Sequence, residues 1–563
     1  MPTRDREENW PVSRNGNPDE RFVRRWALAW ILVCFVVGWI GIDRAPFWVD
    51  ESIAVFPANG ILTYGVPIAP YDLDFMPWQI KSGIWDPATP LYRYTLAPVF
   101  ALFGFSELVA RGFSWVVGFL ALVPLYRAGR LIFGSTTAWL GVALMAGSPV
   151  FGLFAREARH HSFVLLMAAL TVWALLAAAR PNAPPRRRML WVLPLIGVLL
   201  TQTIGYMALP VAALFITYVG FDRFLSRDRA ALAAASIAVL VYGTVMALFW
   251  DTLPFFHEIG CHNRPAGCQP SPLFYVRTLY EFLLPVAGRE EFYALLMRNT
   301  GRFGLPASWT VAAGPALFLV GLLAVAFRTL RWPAERIAMV WIWLLVPLGL
   351  LSTQEVKFPR FLFVWTFPIA MLILAFGVTR LAALTRSAVA RRTALGLLFC
   401  VLALSPQWSP DGRPGSPEVR WSSGLARYVR TQILEAPEDN WYRTRAKARY
   451  LEKRLRDGDE VVTSFDDAGL QHQLGRFVYG FLNSRRTDES LMELLREAER
   501  RDRVVWFVDT LPELDFCLSD DPEPVSIPCR EKFPRFYRAC LGVGDEWSHR
   551  CRRVSGWDLR NAR

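Results

Sequence analysis

The sequence predicts a mainly α-helical, polytopic membrane protein that carries a separate α/β domain at its C-terminal end. The chain is 53% apolar and only 20% charged, with a mean hydropathy of +0.25, whereas a soluble domain is about 25% charged. Long apolar segments fill the first 406 residues, and alternating strand and helix patterns follow them. The composition argues against a soluble single domain, a disordered chain, a collagen or a small disulfide-stapled protein.

Eleven apolar segments are long enough, or nearly so, to cross a hydrocarbon core that takes about 20 helical residues. They span residues 26–42, 108–126, 137–153, 162–179, 189–204, 206–221, 230–249, 306–327, 337–351, 361–379 and 393–405. The first segment has the basic flank and apolar core of a signal peptide. Because residues 43–46 after it offer no small-x-small cleavage site, we expect it to remain as the first transmembrane helix.

The distribution of basic residues predicts the orientation. With the N-terminus in the cytoplasm, the inner loops hold 22 basic residues and the outer loops 12, as the positive-inside rule requires. The net charge of +13 could indicate a nucleic-acid partner in a soluble protein. Here the arginines are divided among short inner loops and do not form one groove, so no nucleic acid is expected to bind. Eleven crossings place the C-terminus outside.

The cysteines test this topology independently. Two of them, Cys34 and Cys400, lie in apolar segments, and the other six lie in regions assigned to the outside. An even set in an oxidising compartment predicts disulfides, with Cys261–Cys268 as the favoured pair and three connectivities open for the last four. A zinc site is the alternative, but these four lack any CxxC spacing. The six predicted disulfide cysteines are Cys261, Cys268, Cys517, Cys529, Cys540 and Cys551.

These boundaries divide the chain into three parts. A cytoplasmic tail (1–25) precedes a transmembrane catalytic domain (26–406), whose large outer loops span 43–107 and 250–305. The extracytoplasmic domain covers 407–563. In it, predicted strands at 460–464 and 503–508 alternate with helical stretches at 422–435, 441–456 and 488–501, an order that favours a small α/β domain.

The first outer loop begins with two adjacent carboxylates, Asp50 and Glu51, beside an aromatic interface patch. A carboxylate held at the membrane boundary is partly desolvated, which raises its pKa towards that of a useful general base. The alternative interpretation is an ordinary helix start, where acidic residues are favoured.

Two basic clusters also lie at outer helix ends. Residues 156–161 read Arg-Glu-Ala-Arg-His-His before a membrane helix, and a helix N-terminus with added arginines is a good anion site. Lys357 and Arg360 repeat this arrangement before the tenth segment, against the positive-inside trend. A lipid phosphate would explain both clusters, while snorkelling and ordinary headgroup contact are the alternatives.

The sequence neither predicts nor excludes a metal site. All six histidines fall in outer regions, and a site built from His and carboxylates is conceivable. Their spacing matches no strong motif such as HExxH. The candidate ligands for a divalent metal ion are Asp50, Glu157, His160 and His257.

Residues 47–180 contain several short motifs, which include the acidic cluster and the first basic cluster. They are Trp48-Val49-Asp50-Glu51, Pro90-Leu91-Tyr92, the stretch from Leu102 to Arg111, Gly129-Arg130-Leu131-Ile132-Phe133-Gly134, Ser148-Pro149 and Arg156-Glu157-Ala158-Arg159. This part of the chain resembles the GT-C membrane glycosyltransferases, in particular the bacterial glycosyltransferase 39 type related to protein O-mannosyltransferases and aminoarabinose transferases. It departs from them at 86–90, where a His-Pro-Pro is common, and at His160-His161, where an aromatic residue is common.

The resemblance implies sugar transfer from a polyprenyl-phosphate-linked donor to a protein, lipid or cell-envelope glycan, with inversion, on the outer face of a bacterial inner membrane. It implies Asp50 as general base, and Glu51 and Glu157 as groups that hold the acceptor or a divalent ion. The expected phosphate-binding residues are Arg111, Arg156, Arg159, Lys357 and Arg360. Expected partners are the donor, membrane lipids and an unidentified acceptor.

The alternative function is that of a lipid-linked glycan flippase or another transporter. Such a protein should carry ionisable residues near the bilayer midplane. Here the middle thirds of the apolar segments are almost free of charge, which favours chemistry at the membrane surface.

Overall fold

The computed structural model describes the helical membrane part of the chain and the central elements of the terminal domain. It covers residues 18–47, 49–67, 89–178, 279, 309–328, 334–352, 360–385, 387–404, 406–407, 422–423, 444–463, 470, 473–474, 478–480, 488–508, 516–518, 526–528 and 551–554.

Most of the described membrane part is α-helical. Its helices, numbered in chain order, are α1 (Pro18–Trp39), α2 (Val49–Tyr64), α3 (Pro90–Phe103), α4 (Glu107–Phe133), α5 (Ser135–Ala146), α6 (Pro149–Arg156), α7 (His161–Ala178), α8 (Trp309–Arg328), α9 (Ala334–Ser352), α10 (Arg360–Val364), α11 (Thr366–Ala382) and α12 (Ala388–Leu404).

Eight of the eleven predicted membrane segments coincide with these helices, and the segments at 189–204, 206–221 and 230–249 lie outside the described residues. By length and composition, α1 and α4 can each cross a membrane, and α5 with α6 can form a third span that bends by 65°. Shorter apolar helices lie within α7, α8, α9 and α11. The chain is therefore a multi-pass, mainly helical membrane protein, and the full count of eleven stays a prediction.

A break divides the predicted single segment 137–153 into α5 and α6, which together can still form one bent span. Pro149 stands in the first turn of α6, and the Ser148 side chain accepts a hydrogen bond from the Val150 N–H as the N-cap. Proline has no N–H for a preceding carbonyl, so α5 stops and a new helix begins at an angle.

Helix α11 lies at the centre of the bundle, with Thr366–Val378 buried throughout. It packs against α5, α8, α9 and α12. At the crossing with α8, a side chain on Gly377 would collide with the Leu317 carbonyl, and one on Gly321 would collide with the Ile373 carbonyl. Glycine at both positions allows the two backbones to approach closely.

The N-terminal end of α1 is tied to the last described membrane helix. The buried Asp19 carboxylate accepts hydrogen bonds from Arg391 (2.6 Å) and Arg392 (2.8 Å) on α12. This ion-pair cluster lies at the opposite end of α1 from the chain that continues to α2.

The first outer loop is more ordered than the sequence indicated. It contains helices α2 and α3, which pack on each other and bury Phe47, Val55, Phe56, Leu96 and Phe100 in one apolar cluster. Residues 68–88 lie outside the described part of the chain.

The described elements of the terminal region include a parallel sheet. They are β1 (Pro406–Gln407), β2 (Ser422–Ser423), α13 (Thr444–Glu452), β3 (Glu460–Thr463), β4 (Tyr479–Gly480), α14 (Asp488–Arg500), β5 (Val505–Val508), β6 (Phe516–Leu518), β7 (Ser526–Pro528) and β8 (Cys551–Val554). The sheet order is β4-β3-β5-β8, with all three pairings parallel.

The two predicted strands correspond to β3 and β5, and the predicted helices at 441–456 and 488–501 correspond to α13 and α14. The helix predicted from 422 is wrong at its start, because Ser422 and Ser423 pair with β1 as an antiparallel strand. The complete α/β domain extends beyond the described residues and stays a prediction.

The disulfides stay a prediction, because the structure describes the side chain of none of the six predicted cysteines. Cys34 is a buried free thiol in α1, as its apolar segment predicts. Cys517 lies in β6 and Cys551 in β8, while Cys261, Cys268, Cys529 and Cys540 lie outside the described part.

Candidate functional site

The centre of the candidate site is a buried ion pair between Arg111 and Glu51. Arg111 lies one turn inside α4, and Glu51 is the third residue of α2. Arg111 Nε donates to Glu51 Oε1 at 2.9 Å, and Nη2 donates to Oε2 at 2.6 Å. This bidentate arrangement is the strongest geometry available to an arginine and a carboxylate.

The remaining N–H groups of Arg111 hold the chain between α1 and α2. Nη1 donates to the carbonyl oxygens of Ile42 (3.0 Å) and Ala45 (2.6 Å), and Nη2 donates to that of Pro46 (3.0 Å). A guanidinium has five N–H donors, and Arg111 makes five hydrogen bonds to protein atoms.

This geometry corrects the predicted roles of both residues. Arg111 has no N–H left to give to a donor phosphate. The Glu51 carboxylate is only 2% exposed and binds Arg111 through both oxygens, so it is placed to hold protein segments together and not to hold an acceptor. The sequence showed an acid and a base 60 positions apart but could not show that they meet.

Glu51 also reaches the second predicted cluster. Its Oε1 accepts the backbone N–H of Ala158 at 2.9 Å, inside the turn between α6 and α7. The same turn is held a second time, because the Ser114 hydroxyl donates to the Arg159 carbonyl at 3.5 Å and lies 3.3 Å from the Tyr92 hydroxyl. Two polar contacts therefore fix the backbone that carries Arg159.

The side chains of this turn are mostly buried. Glu157 is 4% exposed, His160 7% and His161 fully buried, while Arg159 is partly buried. Glu157 Oε2 lies 3.7 Å from His161 Nε2, and the two histidine rings are 4.7 Å apart. The α6–α7 turn and the first residue of α7 thus carry a carboxylate, two imidazoles and a guanidinium within five consecutive residues.

The structure separates Arg156 from this cluster. Its Nη2 donates to the Ile40 carbonyl at 3.2 Å in an exposed contact, just after the end of α1. The phosphate contact of Arg156 stays a prediction, and the contact that the structure describes for this guanidinium is with a backbone carbonyl outside the turn.

The other predicted residues are only partly described. Asp50 is the second residue of α2, directly before Glu51, and Arg360 is the first residue of α10; the structure does not describe either side chain. Helix α10 packs against α6 and α7, with the Phe363 ring 5.1 Å from that of Phe154, so Arg360 begins a helix beside the turn. Lys357 and His257 lie outside the described residues.

The described residues contain no group of three His, Cys, Asp or Glu side chains that could hold a metal ion. The proposed ligands Glu157 and His160 are neighbours in the turn, but the other two candidates, the Asp50 carboxylate and His257, are not described. A divalent metal site stays a prediction.

Sequence reasoning missed Arg93, which is 1% exposed on α3. Burial raises the pKa of the neighbouring Tyr92 phenol; its hydrogen bond to Ser114 lowers the pKa, the charge of Glu51 raises it, and the charges of Arg159 and Arg93 lower it. The Tyr92 hydroxyl therefore stays protonated. Arg93 and Arg159 are both close enough to Tyr92 for their charges to affect its pKa. A basic residue on the outer side, against the positive-inside trend, was the available signal.

The charges described at the site favour an anion. Arg111 and Glu51 neutralise each other, and the positive charges of Arg93 and Arg159 both act on the Tyr92 phenol. Buried or partly buried guanidinium groups bind phosphate strongly where water is excluded. The arrangement suits a reaction in which negative charge develops on a phosphate.

The chain is similar to known proteins in part of its sequence and in its fold. Residues 87–250 match the sequence family described as dolichyl-phosphate-mannose-protein mannosyltransferase. A comparison with curated protein sequences gives no match. Two solved structures superpose over most of the chain.

The first is ArnT from Cupriavidus metallidurans bound to undecaprenyl phosphate, with a TM-score of 0.51 and 14% identity, over 81% of this chain and 86% of ArnT. The second is the archaeal oligosaccharyltransferase AglB from Archaeoglobus fulgidus, in complex with an inhibitory peptide and a dolichol-phosphate. Its TM-score is 0.52 at 13% identity, over 81% of this chain and 64% of AglB. At these identities the likeness concerns the fold.

Proposed function

We propose that the chain is a membrane glycosyltransferase of the GT-C type, which transfers a sugar from a polyprenyl-phosphate-linked donor to an acceptor hydroxyl or amine. Two comparisons support this donor class. The superposed ArnT structure holds undecaprenyl phosphate, and the superposed AglB structure holds a dolichol-phosphate. The sugar and the acceptor, whether a protein, a lipid or a cell-envelope glycan, are to be found by experiment.

One observation carries the proposal. Glu51 binds Arg111 on α4 and the Ala158 N–H of the α6–α7 turn, and it directly follows Asp50. A single buried carboxylate therefore joins the segment that carries the proposed base to the turn that carries Arg159. A displacement at an anomeric carbon needs a base and a phosphate-binding cation. The base removes the proton of the acceptor, and the cation stabilises the negative charge of the leaving phosphate.

In the proposed reaction, the acceptor heteroatom attacks the anomeric carbon, and the bond from that carbon to the phosphate oxygen breaks. Asp50 takes the acceptor proton, and the bonding electrons leave with the prenyl phosphate. Attack from the face opposite to the leaving group inverts the anomeric configuration. Base catalysis contributes roughly 10²–10⁴-fold to such a step, and contacts to the leaving phosphate add to it.

We assign the leaving phosphate to Arg159, Lys357 and Arg360, and we add Arg93. Glu157 is proposed to orient Arg159 or the acceptor. No step requires a metal ion, and a bound divalent ion would add charge beside the phosphate. Following the basic-residue distribution, we place the site on the periplasmic face of a bacterial inner membrane.

A flippase is the alternative from another class. The described ionisable residues that come together at the site, including Glu51, Arg93, Glu157 and Arg159, lie in the α1–α2 connection, the outer-loop helices and the α6–α7 turn. A transport path requires such residues along the membrane interior. Their concentration at helix ends favours catalysis at the surface.

The test is to incubate purified protein with a panel of labelled polyprenyl-phosphate sugars and an envelope-lipid or peptide acceptor pool. We expect release of prenyl phosphate together with label in an acceptor for at least one donor. Movement of an intact donor across a vesicle membrane without its hydrolysis or transfer would support the flippase instead.

A further inference from the structure

The chain between α1 and α2 is held from two directions. Arg111 donates hydrogen bonds to the carbonyl oxygens of Ile42, Ala45 and Pro46. The two carbonyl groups between them, those of Asp43 and Arg44, also accept hydrogen bonds from an arginine. Five consecutive carbonyl groups are therefore bound to guanidinium groups.

The second arginine comes from the terminal domain. Arg445 is the second residue of α13; its Nη1 donates to the Arg44 carbonyl, and its Nη2 donates to the Asp43 carbonyl at 3.2 Å. Asp43 and Arg44 lie about 400 positions before Arg445 in the sequence.

The terminal domain also contacts the beginning of α4. Gln473 Nε2 donates to Glu107 Oε1 at 3.2 Å, and Arg445 Nη2 lies 4.0 Å from the same oxygen. Glu107 is one turn before Arg111. The domain therefore touches the membrane part at the two segments that the Arg111–Glu51 pair brings together.

We propose that Arg445 is a positioning residue of the active site, which makes the terminal domain part of the frame that holds Asp50. Residues 42–46 lead into α2 only four positions before Asp50. Arg111 holds three carbonyls of this segment with the same guanidinium that holds Glu51, so movement of residues 43–44 is transmitted to the ion pair. The inference rests on the proposed function, because it assigns Asp50 as the base.

The size of the effect follows from geometry. A misplacement of about 1 Å at a reacting group can lower a rate by about 100-fold. Arg445 is 27% exposed and supports the segment from outside, so we expect a loss of about 10-fold in kcat. The Michaelis constant for the donor should change little, because the contacts described for Arg445 are with the Asp43 and Arg44 carbonyls and with Glu107.

The test uses four variants in lipid nanodiscs. Arg445→Gln removes the guanidinium, and Arg445→Lys keeps the charge with a smaller donor group. Arg449→Gln, one turn further along α13 and exposed, is the matched control. Glu107→Gln removes the charge that faces Arg445 but keeps an acceptor for Gln473.

Two measurements are made on each variant: kcat for prenyl-phosphate release, and hydrogen–deuterium exchange of the peptide covering residues 41–51. We expect Arg445→Gln to lower kcat and to accelerate exchange in this peptide. Arg445→Lys should give an intermediate result, and Arg449→Gln and Glu107→Gln should behave like the unmodified protein.

Equal kcat and equal exchange in the Arg445→Gln and Arg449→Gln proteins would overturn the proposal. An equally large loss of kcat in the Glu107→Gln protein would also overturn it. In that case the charge attraction between Arg445 and Glu107, and not the hydrogen bonds of Arg445 to the carbonyl groups, would explain the effect. If the unmodified protein releases prenyl phosphate from no donor, the proposed function is wrong, while the exchange measurement still decides whether Arg445 holds the segment.

Discussion

Glu51 is bound by Arg111 through both carboxylate oxygens, at 2.9 and 2.6 Å, and one of these oxygens also accepts the Ala158 N–H. The two side chains come from helices 60 positions apart and are almost completely buried. Through them, the chain between α1 and α2, the start of α2, the start of α4 and the α6–α7 turn form one unit. This unit places Asp50 and Arg159 on a common frame.

Replacing Glu51 by Gln tests this unit. The change leaves Arg111 buried without its counter-charge, and breaking a buried ion pair costs about 3–5 kcal/mol. We expect a lower unfolding temperature and a lower kcat in the fraction that remains folded. Thermal unfolding and initial rates measured on the same nanodisc preparation check both effects.

Asp19→Asn is the matched control for that variant. It breaks the ion pairs with Arg391 and Arg392 at the other end of α1, far along the helix from Glu51. We expect reduced stability with unchanged kcat. If Asp19→Asn and Glu51→Gln lower kcat equally, general destabilisation explains the loss and the frame has no special role.

Arg159→Gln and Arg156→Gln distinguish the two arginines of the Arg-Glu-Ala-Arg motif. Arg159 lies in the doubly held turn, whereas Arg156 binds the Ile40 carbonyl at the surface. Removing one positioned contact to developing negative charge costs about 10²–10³-fold in kcat. We expect this loss for Arg159→Gln and a much smaller one for Arg156→Gln, measured as prenyl-phosphate release. The reverse order would show that the phosphate is bound outside the turn.

Thiol labelling tests the predicted side of the terminal domain. If that domain is outside, Cys517, Cys529, Cys540 and Cys551 should be oxidised in the native protein and should react with a maleimide only after reduction. Cys34, which is buried in α1, should stay unreactive until the protein is denatured. Four free thiols in the native protein would contradict both the disulfides and the outer location.

Hydropathy predicted the positions of the membrane helices because burial in lipid requires long apolar runs. It did not predict the break at Ser148-Pro149, since the flanking residues are apolar and the interruption depends on a missing N–H and a side-chain cap. Helices α2 and α3 were also missed. Both contain an internal proline, Pro57 and Pro98, and their buried faces are defined by contact with each other.

The sequence selected segments that the structure brings together, but it did not give the contacts between them. Glu51, Glu157 and Arg159 were selected from their positions at predicted outer helix ends, and Arg111 was selected through the family resemblance. Which of them neutralise each other depends on contacts between distant helices. Arg93 and Arg445 were not selected, because neither lies in a motif and their significance comes from burial or from a contact across domains.

The most direct test of the central claim is turnover by Asp50→Asn, with Asp457→Asn, an exposed position of the terminal domain, as the matched control. The change keeps the size of the side chain but removes the base. We expect release of prenyl phosphate to fall by roughly 10²–10⁴-fold, with the unfolding temperature and the binding of labelled donor retained. Full turnover by a folded Asp50→Asn protein would contradict the assignment of Asp50 as the base.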